Sequence, residues 1–393
     1  SVVNIDRRMT YTAVNAILEA KNGGEEAAVK EKAEFAEKCL EEYADFVPMF
    51  LLLDETARVL RKKRMARGAV DFDFPECKII LDAKGRPVEI KPYERNAATM
   101  LIEDCMLAAN ETVARHLHRL GKPAVYRVHE KPSEDKTERL RAMLAPFGLE
   151  VRQADHFSLQ KVLDAVQGKP EAPIVNAILL RSLMKARYDA ENLGHFGLAA
   201  DYYCHFPSPI RRYPDLMVHR ILTALLDGKL YGSAEKKLAA AAQRAAVQSS
   251  QRELAAQNAE REIEKLYMAE YMLSHVGEQL SGTVSGVTRF GLFVTLPFGA
   301  EGMVPMEALP GDDYAWDEHR MTLTGRGGTV FSFGMALEVV CVSADPGSGQ
   351  IDLRLEGVPS APPKKPQTIK VPPKPKKKNG KRAPAPKRGR RRR

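Results

Sequence analysis

The sequence predicts a mixed α+β protein in which a mainly helical body precedes a small all-β barrel and a basic tail without regular structure. Apolar residues make up 44% and charged residues 28% of the 393 residues, close to the globular average, which excludes disorder over the whole chain. Residues 233–275 contain no Pro or Gly, whereas short runs rich in Gly, Val, Thr and Phe follow Gly277. Residues 357–393 contain 15 Lys and Arg, nine Pro and no Asp or Glu. This order of compositions predicts the three parts.

The N-terminal part of the body is predicted to form helical hairpins. Thr12 can cap a short helix that ends at Gly23, and a charged helix follows from about Glu25. Pro48 interrupts the pattern, after which apolar residues recur at helical spacing until Gly68.

The rest of the body is predicted to contain a β-hairpin followed mostly by helices. The predicted elements are a hairpin of residues 78–82 and 87–91, a helix over 97–120, a strand over 124–129, mostly helix with loop breaks over 133–198, and one long helix over 233–275. At ~1.5 Å per residue the long helix would measure roughly 60 Å.

The region after Gly277 is predicted to form the barrel. Short strands are expected over residues 280–287, 291–296, 302–304, 335–343 and 351–355. Strands of this length separated by turn residues are typical of a small closed β-sheet. No internal repeat is evident.

Composition also bears on the cellular setting. No run approaches the ~18 apolar residues that a membrane span requires, so no membrane partner is expected. The five cysteines are scattered and never at CxxC spacing, which predicts neither a disulfide framework nor a zinc site. This use of cysteine fits a reducing compartment, so a cytoplasmic protein is expected.

The net charge of +9 comes from the tail, because the first 356 residues hold 45 basic and 51 acidic side chains. A proline-rich block of like charge cannot bury apolar surface and is expected to be disordered. Such a block can act as an electrostatic tether to the phosphate backbone of nucleic acid. The alternative is a solubilising tail with no specific partner.

The densest group of chemically capable residues lies in three runs: HFGL at 195–198, YCHFPSPIRRYPD at 203–215, and HR at 219–220. Two adjacent arginines beside a turn and a helix start suit a phosphate, since guanidinium groups bind phosphoryl oxygens in pairs. The alternative is an Arg-Asp network that closes a loop. The spacing of His195, His205 and His219 matches no common metal site, so structural or RNA-contacting histidines are expected.

The predicted helix over 97–120 carries polar groups on an apolar stripe. Glu103, Leu107 and Asn110 fall at i, i+4 and i+7, so one face presents a carboxylate and an amide. Such groups require a partner, either a buried hydrogen bond or a ligand.

The motifs resemble a known family. The run HFGLA…YYCHFPSPIRRYPDLMVHR resembles the signature of the RNB exoribonuclease family, which includes RNase II and RNase R, and LIEDCMLAAN at 101–110 resembles a second family segment. GTVSGVTRFGLFVTL and EGMVP look like an S1-type OB-fold, and the order of RNB, S1 and basic tail is similar to the RNase R branch. The resemblance covers nearly the whole chain to about residue 356.

The resemblance implies Mg²⁺-dependent 3′→5′ hydrolysis of single-stranded RNA to nucleoside 5′-monophosphates. Arg211 matches the catalytic arginine, with Arg212 beside it, and Tyr11 and Glu103 match positions that recognise the ribose. By the same resemblance, RNA contacts are expected from Tyr11, Phe72, Glu103, Asn110, His195, Tyr203, Ser208, Tyr213, Phe290 and Phe293. Phe72, Phe290 and Phe293 would stack on bases, although each can instead be a core residue.

The chain also departs from the family pattern. The family's aspartate cluster lies before the RMTYTAV-like segment, and this chain begins ten residues before Tyr11. We therefore expect the Mg²⁺ ligands upstream of residue 1, no metal ligand in this chain, and weak or no activity of the isolated polypeptide. Asp71, Asp73 and Glu76 are a possible substitute, although alternating carboxylates usually mark the solvated face of a strand. Pro207 and Pro305 replace the family's usual Thr and His.

The predicted domains are 1–232 for most of an RNB domain, 233–276 for the long helix that completes it, 277–356 for an S1 domain and 357–393 for the tail. The expected partner is single-stranded RNA, with structured RNA or ribosomes as further partners of the tail. The alternative function is a non-catalytic RNA-binding protein built on a degenerate RNB and S1 scaffold.

Overall fold

The computed structural model describes residues 4–23, 30–70, 77–92, 95–169, 171–311, 313–318 and 320–357. The helices are α1 (Tyr11–Asn22), α2 (Lys30–Glu42), α3 (Val47–Ala66), α4 (Ala97–Arg119), α5 (Glu134–Leu144), α6 (His156–Val166), α7 (Ala172–Ser182), α8 (Tyr213–Leu226) and α9 (Gly232–Met272). Among the described helices, none combines the length and apolar character that crossing a membrane requires.

The strands fall into four sheets. A hairpin joins β1 (Cys77–Leu81) and β2 (Pro87–Pro92), and a short pair joins β3 (Tyr126–Val128) and β4 (Arg187–Asp189). The remaining strands are β5 (Gln279–Thr288), β6 (Gly291–Thr295), β7 (Glu301–Pro305), β8 (Tyr314–Asp317), β9 (Thr322–Gly325), β10 (Val330–Ser332), β11 (Ala336–Asp345) and β12 (Gln350–Leu355). The predicted mixed fold, with a helical body and then a barrel, is confirmed.

The first helices begin where local chemistry permits. Thr10, not Thr12, caps α1, because Thr10 has an extended backbone and its side chain accepts a hydrogen bond from the N–H of Ala13 at 3.2 Å. The prediction of Thr12 as the cap is therefore wrong by two residues. Pro48 does not interrupt a helix but lies in the first turn of α3, where a missing N–H costs little.

The predicted helix over 97–120 is confirmed as α4 and has a complete capping box. The side chain of Asn96 accepts from the N–H of Thr99 at 3.0 Å, and the Thr99 hydroxyl accepts from the N–H of Asn96 at 3.0 Å. Helices α1, α3 and α4 share a core that includes Ile17, Leu18, Phe50, Ala57 and Leu101.

The middle of the body surrounds the β3–β4 pair. Tyr126 pairs with Asp189 and Val128 with Arg187, in antiparallel register. The prediction of mostly helix over 133–198 missed β4, because a strand of three residues is too short to show a period of two. Behind this pair, α8 and the first half of α9 bury residues such as Met217 and Ala246.

Helix α9 is a single unbroken helix of 41 residues, so the long-helix prediction is confirmed. The first half of α9 packs against the body through Ala242, Ala245 and Ala246. Its last turns pack against the barrel through Ala269 and Met272. Between them, the side chains of residues 254–266 are exposed, although Arg261 and Lys265 line a groove together with barrel residues. With few buried contacts, this segment draws on its many strong helix formers.

The five predicted barrel strands are confirmed and close in the order β11-β12-β7-β6-β5. Leu292, Val294, Val304, Val339 and Leu353 fill the interior. The sequence did not predict the three-stranded sheet β10-β9-β8, whose strands have only three or four residues each. Leu323 and Phe331 of this sheet extend the barrel core.

A second contact joins barrel and body. The Arg181 guanidinium of α7 lies 4.6 Å from the centre of the Phe333 ring and donates a hydrogen bond to the Ser285 carbonyl of β5. Phe333 itself packs against the core of α5, α6 and α7. The backbone at Gly334 has a φ of 83° and lies against Ile174, with no room for a Cβ atom.

Candidate active site

Asn110 of α4 holds the loop of residues 203–212 in place through hydrogen bonds. The Asn110 amide donates to the Tyr203 hydroxyl at 3.1 Å, and its oxygen accepts from the N–H of Phe206 at 2.9 Å. The Cys204 thiol donates to the Asn110 carbonyl at 3.4 Å. Of the two partners expected for Asn110, the structure therefore shows the buried hydrogen bond, with both ends of the amide used.

Asp215, in the first turn of α8, closes the same loop. Its side chain is fully buried, and one oxygen accepts from the N–H of Ser208 at 2.9 Å and from Arg212 Nη2 at 2.8 Å. The Ser208 carbonyl accepts in turn from the N–H groups of Arg211 and Arg212 at 3.3 and 3.0 Å. The alternative interpretation, an Arg-Asp network that closes the loop, therefore applies to Arg212.

Arg211 differs from its neighbour. Its side chain is exposed and makes no ion pair or hydrogen bond within the described ranges. Ile210 beside it is fully exposed, and Tyr213, the first residue of α8, is 51% exposed. The loop therefore presents an unpaired guanidinium to solvent from a fixed backbone, at the N-terminal end of a helix where an anion is favoured.

A layer of aromatic rings supports the loop. His195 packs between His129 and Tyr203, with ring centres 5.1 and 5.0 Å away, and His205 hydrogen-bonds the Tyr188 hydroxyl at 2.9 Å. Burial, together with His129 beside His195 and Arg212 beside His205, lowers the pKa of both histidines to about 3. Both rings are therefore neutral at pH 7.

His219 also contacts the loop through its ring and one ring nitrogen. The ring of His219 stacks on Phe206 at 4.3 Å and donates through Nε2 to the Phe206 carbonyl at 2.9 Å. Within the part of the chain that the structure describes, no group of three or more His, Cys, Asp or Glu side chains could hold a metal ion. The residues Asp71, Phe72, Asp73 and Glu76 lie outside the described residues.

Glu103 of α4 is partly exposed and ion-paired. Arg95 Nη2 lies 3.0 and 3.2 Å from its two carboxylate oxygens, and Arg64 Nη2 lies 4.0 Å from one of them. The next residue, Asp104, is fully buried between Arg61 at 2.6 Å and Arg64 at 2.5 Å. Arg64 of α3 is therefore an ion-pair partner of both Glu103 and Asp104.

Tyr11 lies at the start of α1 and is 51% exposed. One turn later, the Asn15 side chain accepts from the N–H of Ala97, the first residue of α4, at 3.0 Å. This bond fixes α1, which carries Tyr11, against α4, which carries Glu103.

The two barrel aromatics are not core residues. Phe290, at the turn between β5 and β6, is 61% exposed, and the Arg289 guanidinium lies 4.7 Å from its ring centre. Phe293 of β6 is half-buried and lines a groove of about 660 Å³ that also contains Arg261 and Lys265 of α9. Both rings can therefore be reached from solvent.

Sequence reasoning missed the supporting charges. The partners of Glu103 and Asp104 are arginines that lie 8 to 43 residues away in the chain, so spacing within one helix could not identify them. A signal was present in Arg61 and Arg64, which share a face of α3 at i and i+3 and require an acidic partner when buried.

Comparison with known proteins agrees with this architecture. Residues 1–228 match the family model of the RNB domain, and residues 274–354 match that of the S1 RNA binding domain. Ribonuclease R 1 of Lactococcus lactis is 41% identical over 357 residues, which are 90% of this chain and 42% of that protein. Ribonuclease R of Aquifex aeolicus is 36% identical over 360 residues, which are 90% of this chain and 49% of that protein.

A solved structure shows the same fold. Mycoplasma genitalium RNase R, in complex with ribose methylated single-stranded RNA, superposes with a TM-score of 0.77 at 26% identity, covering 88% of this chain and 53% of that one. The chain spans about half the length of the curated relatives it matches. From its RNB and S1 matches, the chain belongs to the RNB family and carries an S1 RNA binding domain after its RNB domain.

Proposed function

We propose that this chain forms the phosphate-contacting and ribose-recognising part of a 3′→5′ exoribonuclease that hydrolyses single-stranded RNA to nucleoside 5′-monophosphates. The observation that carries the proposal is the contrast between Arg212, which Asp215 holds, and Arg211, which is exposed and unpaired on the same fixed loop. A chain that needed both arginines only for structure would not leave one of them in solvent beside a helix N-terminus.

The chemistry assigned to Arg211 is charge stabilisation. During phosphodiester hydrolysis, negative charge increases on the non-bridging oxygens, and a guanidinium that is already in place stabilises it without reorganisation. Arg212 maintains the backbone that presents Arg211, since its ion pair with Asp215 closes the loop. Loss of Arg211 should therefore slow turnover by a larger factor than it weakens RNA binding.

Recognition of RNA is assigned to two further surfaces. A Glu103 carboxylate can accept a hydrogen bond from a ribose 2′-OH, which DNA lacks. Tyr11 lies on α1, which the Asn15 side chain joins to the start of α4. In the barrel, Phe290 and Phe293 are accessible for base stacking, which is worth ~1–3 kcal/mol per base.

Magnesium dependence is part of the proposal, but the described residues do not fit the ion. No three of their His, Cys, Asp or Glu side chains could hold a metal, so no step here is assigned to it. A cytoplasmic location is likewise proposed, from the scattered cysteines. Binding of structured RNA or ribosomes by the basic tail is proposed from the charge of residues 357–393.

The test is shortening of a 5′-labelled single-stranded RNA under single-turnover conditions, with the chain in excess and Mg²⁺ varied. RNA affinity is measured in parallel by fluorescence anisotropy. We expect shortening from the 3′ end that is slow and Mg²⁺-dependent. Arg211→Ala should reduce its rate at least 100-fold while changing affinity less than tenfold.

The matched control is Arg139→Ala, which removes an equal charge from an exposed position of α5, where Arg139 pairs with Asp135. It should leave the rate within about twofold, since charges on the exposed surface are largely screened by salt. An unchanged rate of shortening in Arg211→Ala, together with a loss of RNA affinity, would instead support the non-catalytic RNA-binding alternative.

A further inference from the structure

Two arginine side chains, Arg95 and Arg64, lie close to the Glu103 carboxylate. Arg95 Nη2 contacts both of its oxygens at 3.0 and 3.2 Å, and Arg64 Nη2 lies at 4.0 Å. An exposed glutamate normally samples several rotamers, and fixing it costs up to about 2 kcal/mol of side-chain entropy. In this structure the protein has already fixed the side chain.

The geometry of the pair leaves room for a ligand. A carboxylate has about four acceptor positions, and the single nitrogen of Arg95 uses one on each oxygen. The Glu103 side chain keeps 39% of its surface exposed, so the remaining positions face solvent. The pair therefore orients the carboxylate without closing it.

The backbone beside Arg95 and the side chain of Arg64 are both held by other contacts. Arg95 directly precedes Asn96, whose capping box and the Asn15 bond to Ala97 set the backbone at the start of α4. Arg64 is buried and held by Asp104 at 2.5 Å. The position of Glu103 thus follows from α1, α3 and α4 together rather than from its own helix alone.

We propose that Arg95 is a positioning residue that holds the Glu103 carboxylate in place for the ribose 2′-OH, so that the preference of this chain for RNA over DNA depends on Arg95. This inference rests on the ribose contact proposed for Glu103. Because the Glu103 carboxylate is already oriented, binding a ribose 2′-OH costs less side-chain entropy. Deoxyribose has no such hydroxyl, so this gain in affinity applies to RNA and not to DNA.

The experiment measures the affinity of the chain for a fluorescein-labelled 12-nucleotide RNA and for DNA of the same sequence, by anisotropy. The readout is the ratio of the two affinities, because loss of a positive charge weakens both complexes equally and cancels in the ratio. The variants are Arg95→Gln, Glu103→Gln and both together. The matched control is Arg86→Gln, on the exposed turn between β1 and β2.

We expect Glu103→Gln to lower the ratio roughly tenfold, the value of one hydrogen bond to a charged group. Arg95→Gln should lower it about three- to tenfold, the double variant should lower it no further than Glu103→Gln, and Arg86→Gln should leave it unchanged. Arg95→Lys should recover most of the loss, since only one nitrogen makes the contact. Loss of folding alone would not be rescued in this way.

An unchanged ratio in Arg95→Gln, with a lowered ratio in Glu103→Gln, overturns the inference and leaves the proposed function standing. An unchanged ratio in both variants shows that Glu103 does not contact the ribose and overturns both the inference and that part of the proposed function. A wild-type chain that binds neither RNA nor DNA overturns the proposed function itself.

Discussion

Replacing Asp215 tests whether one buried carboxylate maintains the arginine loop. The change Asp215→Asn preserves shape but removes the carboxylate charge, so the bond from the Ser208 N–H becomes a neutral one and the Arg212 guanidinium loses its ionised partner. Charge-assisted bonds contribute about 1.5–3 kcal/mol each and neutral ones about 0.5–1.5. The second oxygen of Asp215 has no hydrogen-bond partner among the described residues, so the new amide would be unsatisfied there. We expect a loss of about 2–3 kcal/mol in the free energy of unfolding.

The assay is urea unfolding followed by ellipticity at 222 nm, which reports the helical body. Fluorescence of Trp316, the one tryptophan of the chain, follows the barrel region separately. Asp227→Asn is the control, since Asp227 lies at the other end of α8 and pairs only with the exposed Lys229. It should change stability by less than about 0.5 kcal/mol. Equal effects of the two variants would refute the role given to Asp215.

Three further predictions concern pH, the domain contact and the tail. Because His195 and His205 have a folded-state pKa of about 3, the unfolded chain takes up their protons first as pH falls below about 6.5. The free energy of unfolding should fall by up to about 2 kcal/mol per histidine between pH 6.5 and 5. Urea midpoints that do not change over this interval would contradict the burial of these rings. Arg181→Ala should speed amide hydrogen exchange in β5 and near Phe333, whereas the exposed Arg139→Ala should not. Removal of residues 357–393 should flatten the salt dependence of RNA binding, and an unchanged slope would exclude the tail from that binding.

Much of the fold follows from local patterns. The long helix was predictable because it contains no Pro or Gly and many strong helix formers. Helix α4 and the five barrel strands were predictable because their hydrophobic patterns end at clear stop signals. The short strands β4 and β8 to β10 were not, since three or four residues cannot show a period of two. The partner of β4 is also distant in sequence, because β4 pairs with β3.

The sequence predicted the motif of the site but not the different roles of its two arginines. The run SPIRRYPD identified two arginines and an aspartate, yet nothing in it says which arginine Asp215 holds. That depends on the side of the loop that faces α4, where Asn110 fixes the backbone. Likewise, Glu103 was identified from its helix face, whereas Arg95 and Arg64 could be found only in the folded chain.

Helix α9 and the Arg181 contact together have a mechanical consequence. A barrel attached only through one helix end could swing as that helix bends along residues 254–266, whose side chains are exposed. The second attachment, at Phe333 and Ile174, joins the barrel to α7 as well and so opposes this swing. A force on the barrel is then shared between α7 and α9. We expect the two attachments to limit how far Phe290 can move relative to Arg211.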